Sequence, residues 1–145
     1  MQGMVIRQAN PGDLSQIKSF LEENGLQTVG LDQCYLNFVL AIDERGSQVG
    51  VAGYELYNHI ALLRSVAVQK DSRNAGYARV MVDTILKSVK QRGVDTVYVF
   101  TEGAEGYFKR LGFNVVERDQ MDSAVKMSPE FTGCCEHATV MRKTI

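Results

Sequence analysis

Cysteine is scarce: the 145 residues hold three, Cys34, Cys134 and Cys135. An odd number builds no obvious disulfide framework, and an adjacent pair with a distant third matches no zinc-ligand spacing. The expectation is reduced thiols, a cytoplasmic location and no metal. His137 does not complete a ligand set. The stretch "MQGMVIRQA" lacks a charged leader followed by an apolar run, so no secretion signal is expected. No window approaches 18 uninterrupted apolar residues, so no membrane span is expected. Net charge is nearly absent as well, 16 basic side chains against 17 acidic ones. That leaves no long-range attraction to nucleic acid or an anionic membrane. Repeats, low-complexity tracts and linkers are missing, and the length fits a single domain over 1–145. A hydrophobic fraction of 45% and a charged fraction of 23% argue against disorder.

What is present is a regular succession of elements. "MVIRQA" reads as a short strand. "NPGDLSQIKSFLEENG" carries helix signals: Asn10 as N-cap, Pro11 where a missing N–H costs nothing, and Asp13 near the positive end. Leu14, Ile17, Phe20 and Leu21 share a face, and Gly25 stops the helix. Strands are expected at 34–43, 47–58 and 60–68, turning at "ERG" and at Asn58-His59, as an antiparallel meander. A helix over 75–92 follows, with Val80, Ile85, Leu86 and Val89 expected among its buried residues and Gly93 beyond its end. Residues 94–101, dense in β-branched and aromatic side chains, read as a buried strand. A short helix over 104–111 ends at Gly112, and "NVVERDQ" reads as a strand. Residues 122–136 look irregular or weakly helical, and 137–145 close the chain as a strand. The order predicts an α/β (α+β) fold, a mixed, mostly antiparallel sheet of about six to seven strands flanked by helices.

One stretch carries the chemistry. "QKDSRNAGYARVMVDTIL" (69–86) passes from a polar, glycine-bearing turn directly into a long helix, just after the strand "ALLRSVAV". A helix N-terminus presents unpaired N–H groups and about half a positive charge. Small residues there let those groups converge on an anion. Ala75, Gly76 and Ala78 keep the approach clear, and Arg73 adds charge. Taken alone, 73–78 reads equally well as a crossover turn with a solvated basic loop.

Arg73, Gly76 and Ala78 in an Arg-x-x-Gly-x-Ala pattern after "SVAV" resemble the acyl-CoA-binding signature of the GNAT acetyltransferases. "YFKRLGF" (107–113) resembles that family's second segment, and the strand order is similar over nearly the whole chain. "LLRSVAV", "AEGYFKRLGF" and the tail "SPEF…C…AxVMRK" resemble a subgroup, the arsenic-resistance N-acetyltransferases, and the tail also resembles N-acetylglutamate synthase-type domains. The resemblance implies acetyl-CoA bound where strands 60–68 and 94–101 splay apart. It places the pantetheine arm on the backbone of Val66, Ala67 and Val68. The pyrophosphate falls on the amides of Arg73, Asn74, Ala75, Gly76, Tyr77 and Ala78. Thr101 and Phe108 flank the thioester, and Arg110 lies near the nucleotide end.

Two departures stand against that pattern. Where many members carry a glutamate base, this chain has Leu62, which accepts no proton. Where many carry a tyrosine that protonates the leaving thiolate, it has Phe108, with Tyr107 about 100° further round the helix. Thr101 replaces a common asparagine. Positioning alone can still supply roughly 7–11 kcal/mol of barrier reduction. An amine near pKa 10.4 costs roughly 4–5 kcal/mol to deprotonate at neutral pH, so a less basic α-amine suits a weak or water-relayed base.

The expected activity is therefore acetyl-CoA-dependent N-acetylation of a small amino-acid-like amine. A non-catalytic acyl-CoA sensor or subunit, and a protein N-acetyltransferase, are the alternatives. Tyr107 is the candidate acid, and Glu55 a candidate to hold a water that takes the amine's proton. Arg64, set in an apolar strand, either clamps a substrate carboxylate or pairs with a structural acid. Tyr57, His59, Glu102 and loop 25–33 complete the acceptor-side candidates, with His59 more naturally a surface residue. An exposed apolar patch around the terminal strand would imply a homodimer.

Overall fold

The structure, a computed structural model, describes residues 5–133 and 137–145. Cys134 and Cys135 lie outside the described residues. Seven strands form one sheet: β1 (Val5–Gln8), β2 (Val39–Ile42), β3 (Gln48–Tyr57), β4 (Ile60–Val68), β5 (Thr96–Thr101), β6 (Asn114–Val115) and β7 (Thr139–Thr144), in the order β1-β2-β3-β4-β5-β7-β6. Every neighbouring pair is antiparallel except β4 and β5. That parallel pair needs a crossover, and α3 (Tyr77–Gln91) supplies it.

Local chemistry explains the ends of the elements. Asn10 caps the first turn by accepting from the Gly12 N–H at 3.0 Å, while Asp13 Oδ2 accepts from the Asn10 N–H at 2.8 Å. Arg7 donates to the same carboxylate at 2.8 Å and holds it below the usual aspartate range. α1 (Leu14–Glu23) then buries Ile17, Phe20 and Leu21, at the three-and-four spacing of one helix face. β3 and β4 join through the tight turn at Asn58 and His59, with Asn58 at φ 59°, as a two-residue hairpin requires.

Three expectations are corrected. The strand predicted over 34–43 is only Val39–Ile42. Before it, α2 (Leu31–Cys34) and a single 3₁₀ turn (Tyr35–Asn37) bring Leu31, Cys34 and Phe38 into one buried cluster. Their spacing of three and four is helical, and packing outweighed the strand propensity of the segment. Phe38 lies over Gly53, where a Cβ would collide with its ring. The strand predicted over 114–120 pairs only at Asn114 and Val115, and Arg118–Gln120 turns into a 3₁₀ helix. As an edge strand it has one neighbour to hold it. Val80 is exposed. Met81, Val82, Ile85 and Val89 define the buried face of α3, and Val80 falls about 140° from Ile85 at 100° per residue.

Helices cover both faces. α3 packs on β2, β3 and β4, closing a core that includes Ala41, Tyr54, Leu63, Val97, Val99 and Phe113. α1 and α2 cover Leu40, Val51 and Ala67 on the other face. Further along that face, Met121 and Val125 cover Ile60, Leu62, Tyr98 and Val140. The terminal strand β7 is flanked on both sides, by β5 and β6. The exposed large apolar side chains, Val5, Leu26, Leu36, Val80, Val115 and Met127, are spread over separate elements. No helix among the described residues is long and apolar enough to cross a membrane.

Candidate active site

The sheet opens at one place. β4 pairs with β5 from Ile60↔Thr96 to Leu63↔Val99 and no further, while β5 stays paired with β7 as far as Thr101↔Thr139. The cause is a bulge. Arg64 faces Gly53 and Ala67 faces Val51, so Ser65 and Val66 together oppose Ala52. Ser65 takes φ 59°. One extra residue bends β4 away from β5, and the wedge left between them is the candidate site.

A hollow opens on each side of the wedge. One is a groove of about 540 Å³ lined by Val66, Ala67, Val68, Ser72, Arg73, Asn74, Gly76, Tyr77, Ala78, Arg79, Ala104, Tyr107 and Phe108. The other is a cleft of about 390 Å³ lined by Gly25, Leu26, Gln27, Arg64, Ser65, Val66, Val99, Phe100, Thr101, Glu102, Ala104, Phe108, Glu130 and Ala138. They share Val66, Ala104 and Phe108, so the path from one to the other runs through the split in the sheet.

The groove ends at the N-terminus of α3. Asn74 (φ 68°) and Gly76 (φ 85°) both adopt the left-handed conformation, which turns the chain abruptly into the helix. The Val80 N–H donates to the Gly76 carbonyl at 3.1 Å. The amides before it in the first turn have no carbonyl one turn back to bond. Ala78 leaves them open, and Arg73 and Arg79 add positive charge. Arg73 Nε also donates to the Val68 carbonyl at 3.0 Å, tying the loop to β4. An anionic diphosphate fits this end, and the apolar wall of Val66, Ala67, Tyr107 and Phe108 fits an aliphatic arm. Ala75 and Arg110 do not line the groove. Arg110 stands over the Tyr107 ring at 6.0 Å, on the exposed side of α4 (Glu105–Arg110).

Phe108 sits at the junction, edge-on to Phe113 at 5.6 Å and to Tyr107 at 5.3 Å. Tyr107 lines the groove. Its hydroxyl is buried with no hydrogen-bond partner among the described residues, and burial raises its pKa. Thr101, also buried, accepts from the Ala104 N–H at 3.2 Å and so shapes the turn into α4.

The cleft is organised around Arg64, whose side chain is wholly buried. Nη1 donates to Glu55 Oε2 at 2.8 Å and to the Val29 carbonyl at 2.7 Å, and Nε donates to Ser65 Oγ at 3.0 Å. Glu130 Oε2 lies 3.7 Å from Nε, and Nη2 has no hydrogen-bond partner among the described residues. Burial opposes the guanidinium charge, but Glu130, Cys34 and Glu55 outweigh it and hold its pKa above the ordinary value.

Glu55 is committed elsewhere. It accepts from Arg64, from the Tyr57 hydroxyl and from Ser128 Oγ, the last at 2.7 Å. It lines a separate pocket with Cys34, Tyr57 and Pro129. Burial, then the bond to Glu55, raises the Tyr57 pKa, and burial pushes the Cys34 thiol up to about 11. Leu62, the Cα partner of Glu55, is fully buried in apolar surroundings. His59 is exposed at the far end of β4, 3.0 Å from Asp95, away from the cleft. Glu102 lines the cleft from an exposed position, and of loop 25–33 Gly25, Leu26 and Gln27 reach it.

The carboxylate that sequence reasoning missed is Glu130. Ser128 Oγ accepts from the Glu130 N–H at 3.1 Å, and Pro129 opens α5 (Pro129–Gly133). "SPE" is thus N-cap, N1 and N2 of a one-turn helix, a signal legible as a cap though not as a site. Burial pushes the Glu130 carboxyl up to about 7, with Arg64 opposing the rise and Glu55 adding to it.

The chain is similar to several known proteins. An uncharacterized N-acetyltransferase of Chlorobaculum tepidum is 28% identical over 121 residues, 79% of this chain and 77% of that protein. The amino-acid acetyltransferase of Vibrio atlanticus is 26% identical over 125 residues, 80% of this chain but 28% of that protein. Among solved structures, N-acetylglutamate synthase from Neisseria gonorrhoeae, complexed with coenzyme A and N-acetyl-glutamate, has a TM-score of 0.84 at 18% identity. The match covers 99% of this chain and 35% of that one. Rv2747 from Mycobacterium tuberculosis, in complex with CoA and NLQ, has a TM-score of 0.76 at 21% identity, over 97% of this chain and 99% of that one. The chain thus spans about a third or less of the Vibrio and Neisseria proteins. These structural likenesses carry the fold. The acetyltransferase (GNAT) family itself matches residues 10–113, well over half of the chain, and the protein belongs to that family.

Proposed function

We propose that the protein transfers the acetyl group of acetyl-CoA directly to the primary amine of a small amino-acid-like substrate. The observation that carries this is the junction at Val66, Ala104 and Phe108, where a groove suited to a diphosphate and an aliphatic arm meets a polar cleft through the split sheet. A thioester held there faces an amine held in the cleft. The amine nitrogen, freed of its extra proton, forms a bond to the thioester carbon as the carbon–sulfur bond breaks. The thiolate leaves and takes up a proton. Tyr107, protonated at neutral pH and next to Phe108 at the junction, is the candidate donor.

The substrate class rests on Arg64. A buried guanidinium with Nη2 unpartnered among the described residues suits a carboxylate. The relatives named for amino-acid acetylation agree with that class. A reducing, cytoplasmic setting is consistent with Cys34 as a buried free thiol. The test is release of free thiol from acetyl-CoA with a panel of L-amino acids, polyamines and lysine peptides. Turnover confined to amino-acid-like amines supports the reading. Preference for polyamines or lysine peptides overturns the substrate class.

Leu62 and Phe108 favour a second reading, in which the chain binds acyl-CoA without turnover. Acetyl-CoA binding by calorimetry with no thiol release for any amine would establish it.

A further inference from the structure

We infer that Glu130 is the base that takes the proton from the attacking amine, an assignment that rests on the acetyl-transfer reading above. Two acidic side chains line the cleft, Glu102 and Glu130. Glu102 is exposed and Glu130 buried. Glu55, the third carboxylate nearby, accepts hydrogen bonds from Arg64, Tyr57 and Ser128 and lies outside the cleft. Leu62 on β4 is buried in apolar surroundings and accepts no proton. Glu130, on α5, lines the cleft beside Arg64 of β4.

Its surroundings suit the role. Among the described residues, the charged and titratable groups around it are Arg64 on β4, Glu55 on β3, Cys34 on α2 and Glu102 after β5, and Arg118 stands 5.5 Å over the neighbouring Phe131 ring. Arg64 is anchored to Glu55 on its far side and approaches Glu130 only at 3.7 Å. Burial is the largest influence on its carboxyl, with Arg64 opposing the rise and Glu55 adding to it. A carboxyl titrating near neutrality holds a proton strongly enough to accept one from an ammonium and releases it again at working pH. In the step, an ammonium N–H proton passes to a Glu130 oxygen and the nitrogen lone pair attacks the thioester carbon. The carbon–nitrogen bond forms, the carbon–sulfur bond breaks, the nitrogen sheds its second proton to water, and the thiolate departs with a proton from water or from Tyr107, which water then reprotonates. Glu130 then gives its proton to solvent.

The experiment compares wild type, Glu130→Gln and Glu130→Asp. Acetyl-CoA binding is read by calorimetry, thiol release is read across pH with the amine panel, and hydroxylamine, largely unprotonated at neutral pH, serves as a nucleophile that needs no base. Carbon-13 NMR of glutamate-labelled protein, without ligands, follows the carboxyl directly. Glu130→Gln is expected to bind acetyl-CoA as wild type does, to lose at least about 100-fold in kcat with a basic amine, to lose the acid limb of the pH profile and to keep its rate with hydroxylamine. Glu130→Asp should recover part of the loss. The labelled wild type should show one glutamate titrating near neutrality that is missing from the Gln variant. Equal losses with hydroxylamine and basic amines would make Glu130 structural. Unchanged kcat and pH profile in Glu130→Gln would overturn the assignment while leaving acetyl transfer intact. Absence of wild-type turnover with every nucleophile would overturn both.

Discussion

The groove and the cleft share Val66, Ala104 and Phe108 but are put together differently. Most of the groove wall comes from one continuous stretch, 66–79, with Ala104, Tyr107 and Phe108 closing it. The cleft draws on separate places: residues 25–27, the bulge on β4, the end of β5, and Glu130 and Ala138 near the C-terminus. The groove offers an anion the open end of a helix, which depends on backbone conformation. The cleft offers side-chain charge, and its arrangement depends on a buried network tying Glu55, Arg64, Ser128 and Glu130 together. The groove should therefore tolerate side-chain changes and fail on backbone changes, and the cleft should do the reverse.

The strongest test of that contrast is Arg64→Met. It leaves Glu55 buried against Tyr57 and Ser128 without its cation, and breaking one partner of a buried pair costs about 3–5 kcal/mol. Chemical denaturation should show that loss, with part of it recovered in the Arg64→Met, Glu55→Gln double variant. A loss below about 1 kcal/mol would mean that the network does not organise the cleft.

Glu130 sharpens the contrast through pH. Its pKa rises on folding, from an ordinary 4.5 to about 7, so the folded state holds the proton more tightly than the unfolded chain does. Stability from this group is fully present below about pH 4.5 and is lost as pH rises through 7. At 1.36 kcal/mol per unit the loss is on the order of 3 kcal/mol. Urea midpoints between pH 4.5 and 8 should fall in wild type and stay nearly level in Glu130→Gln. A variant that falls as steeply as wild type would refute the linkage. Asp13, held low by Arg7, acts with the opposite sign and at more acid pH.

On the groove side, Gly76→Val should weaken acetyl-CoA binding at least about 100-fold, or 2.7 kcal/mol at 1.36 per decade. A β-branched residue is strained at φ 85°, by about 1–3 kcal/mol, so the loop should shift while the core persists. Calorimetry reads the affinity and circular dichroism the fold. Normal affinity would place the diphosphate elsewhere.

The same difference in construction decides what a reader of the sequence can see. The turn into α3, the Asn10 cap and the Asn58-His59 hairpin are legible because their causes lie within a few adjacent residues. The base is not. Glu130 meets Arg64 only after β4 bulges and α5 folds over the cleft, and in the sequence it is one acid after a serine and a proline. The segment 34–43 misled for a related reason. Its strand propensity is local, whereas the helical placement of Leu31, Cys34 and Phe38 answers to the face of the sheet they cover. Val80 shows the same limit within an element, since the apolar pattern of α3 marks a helix before it marks which edge of the stripe meets the core.

The smallest expected effect lies where groove and chemistry meet. The Tyr107 hydroxyl is buried without a partner among the described residues, and a buried unsatisfied hydroxyl costs about 1–3 kcal/mol. Removing it should help the unliganded protein, so Tyr107→Phe is expected to raise stability by about 1 kcal/mol in denaturant. Its effect on bound protein should have the opposite sign. If the hydroxyl donates to the departing thiolate, saturating acetyl-CoA and the best amine will give a kcat reduced about 100-fold, with acetyl-CoA affinity unchanged. The reference phenol pKa of about 10 exceeds that of a thiol near 8.5, and burial raises it further, so the transfer runs uphill and only a positioned donor would show in the rate. A gain in stability together with an unchanged kcat would leave Tyr107 as wall alone, and the thiolate would leave with a proton from water.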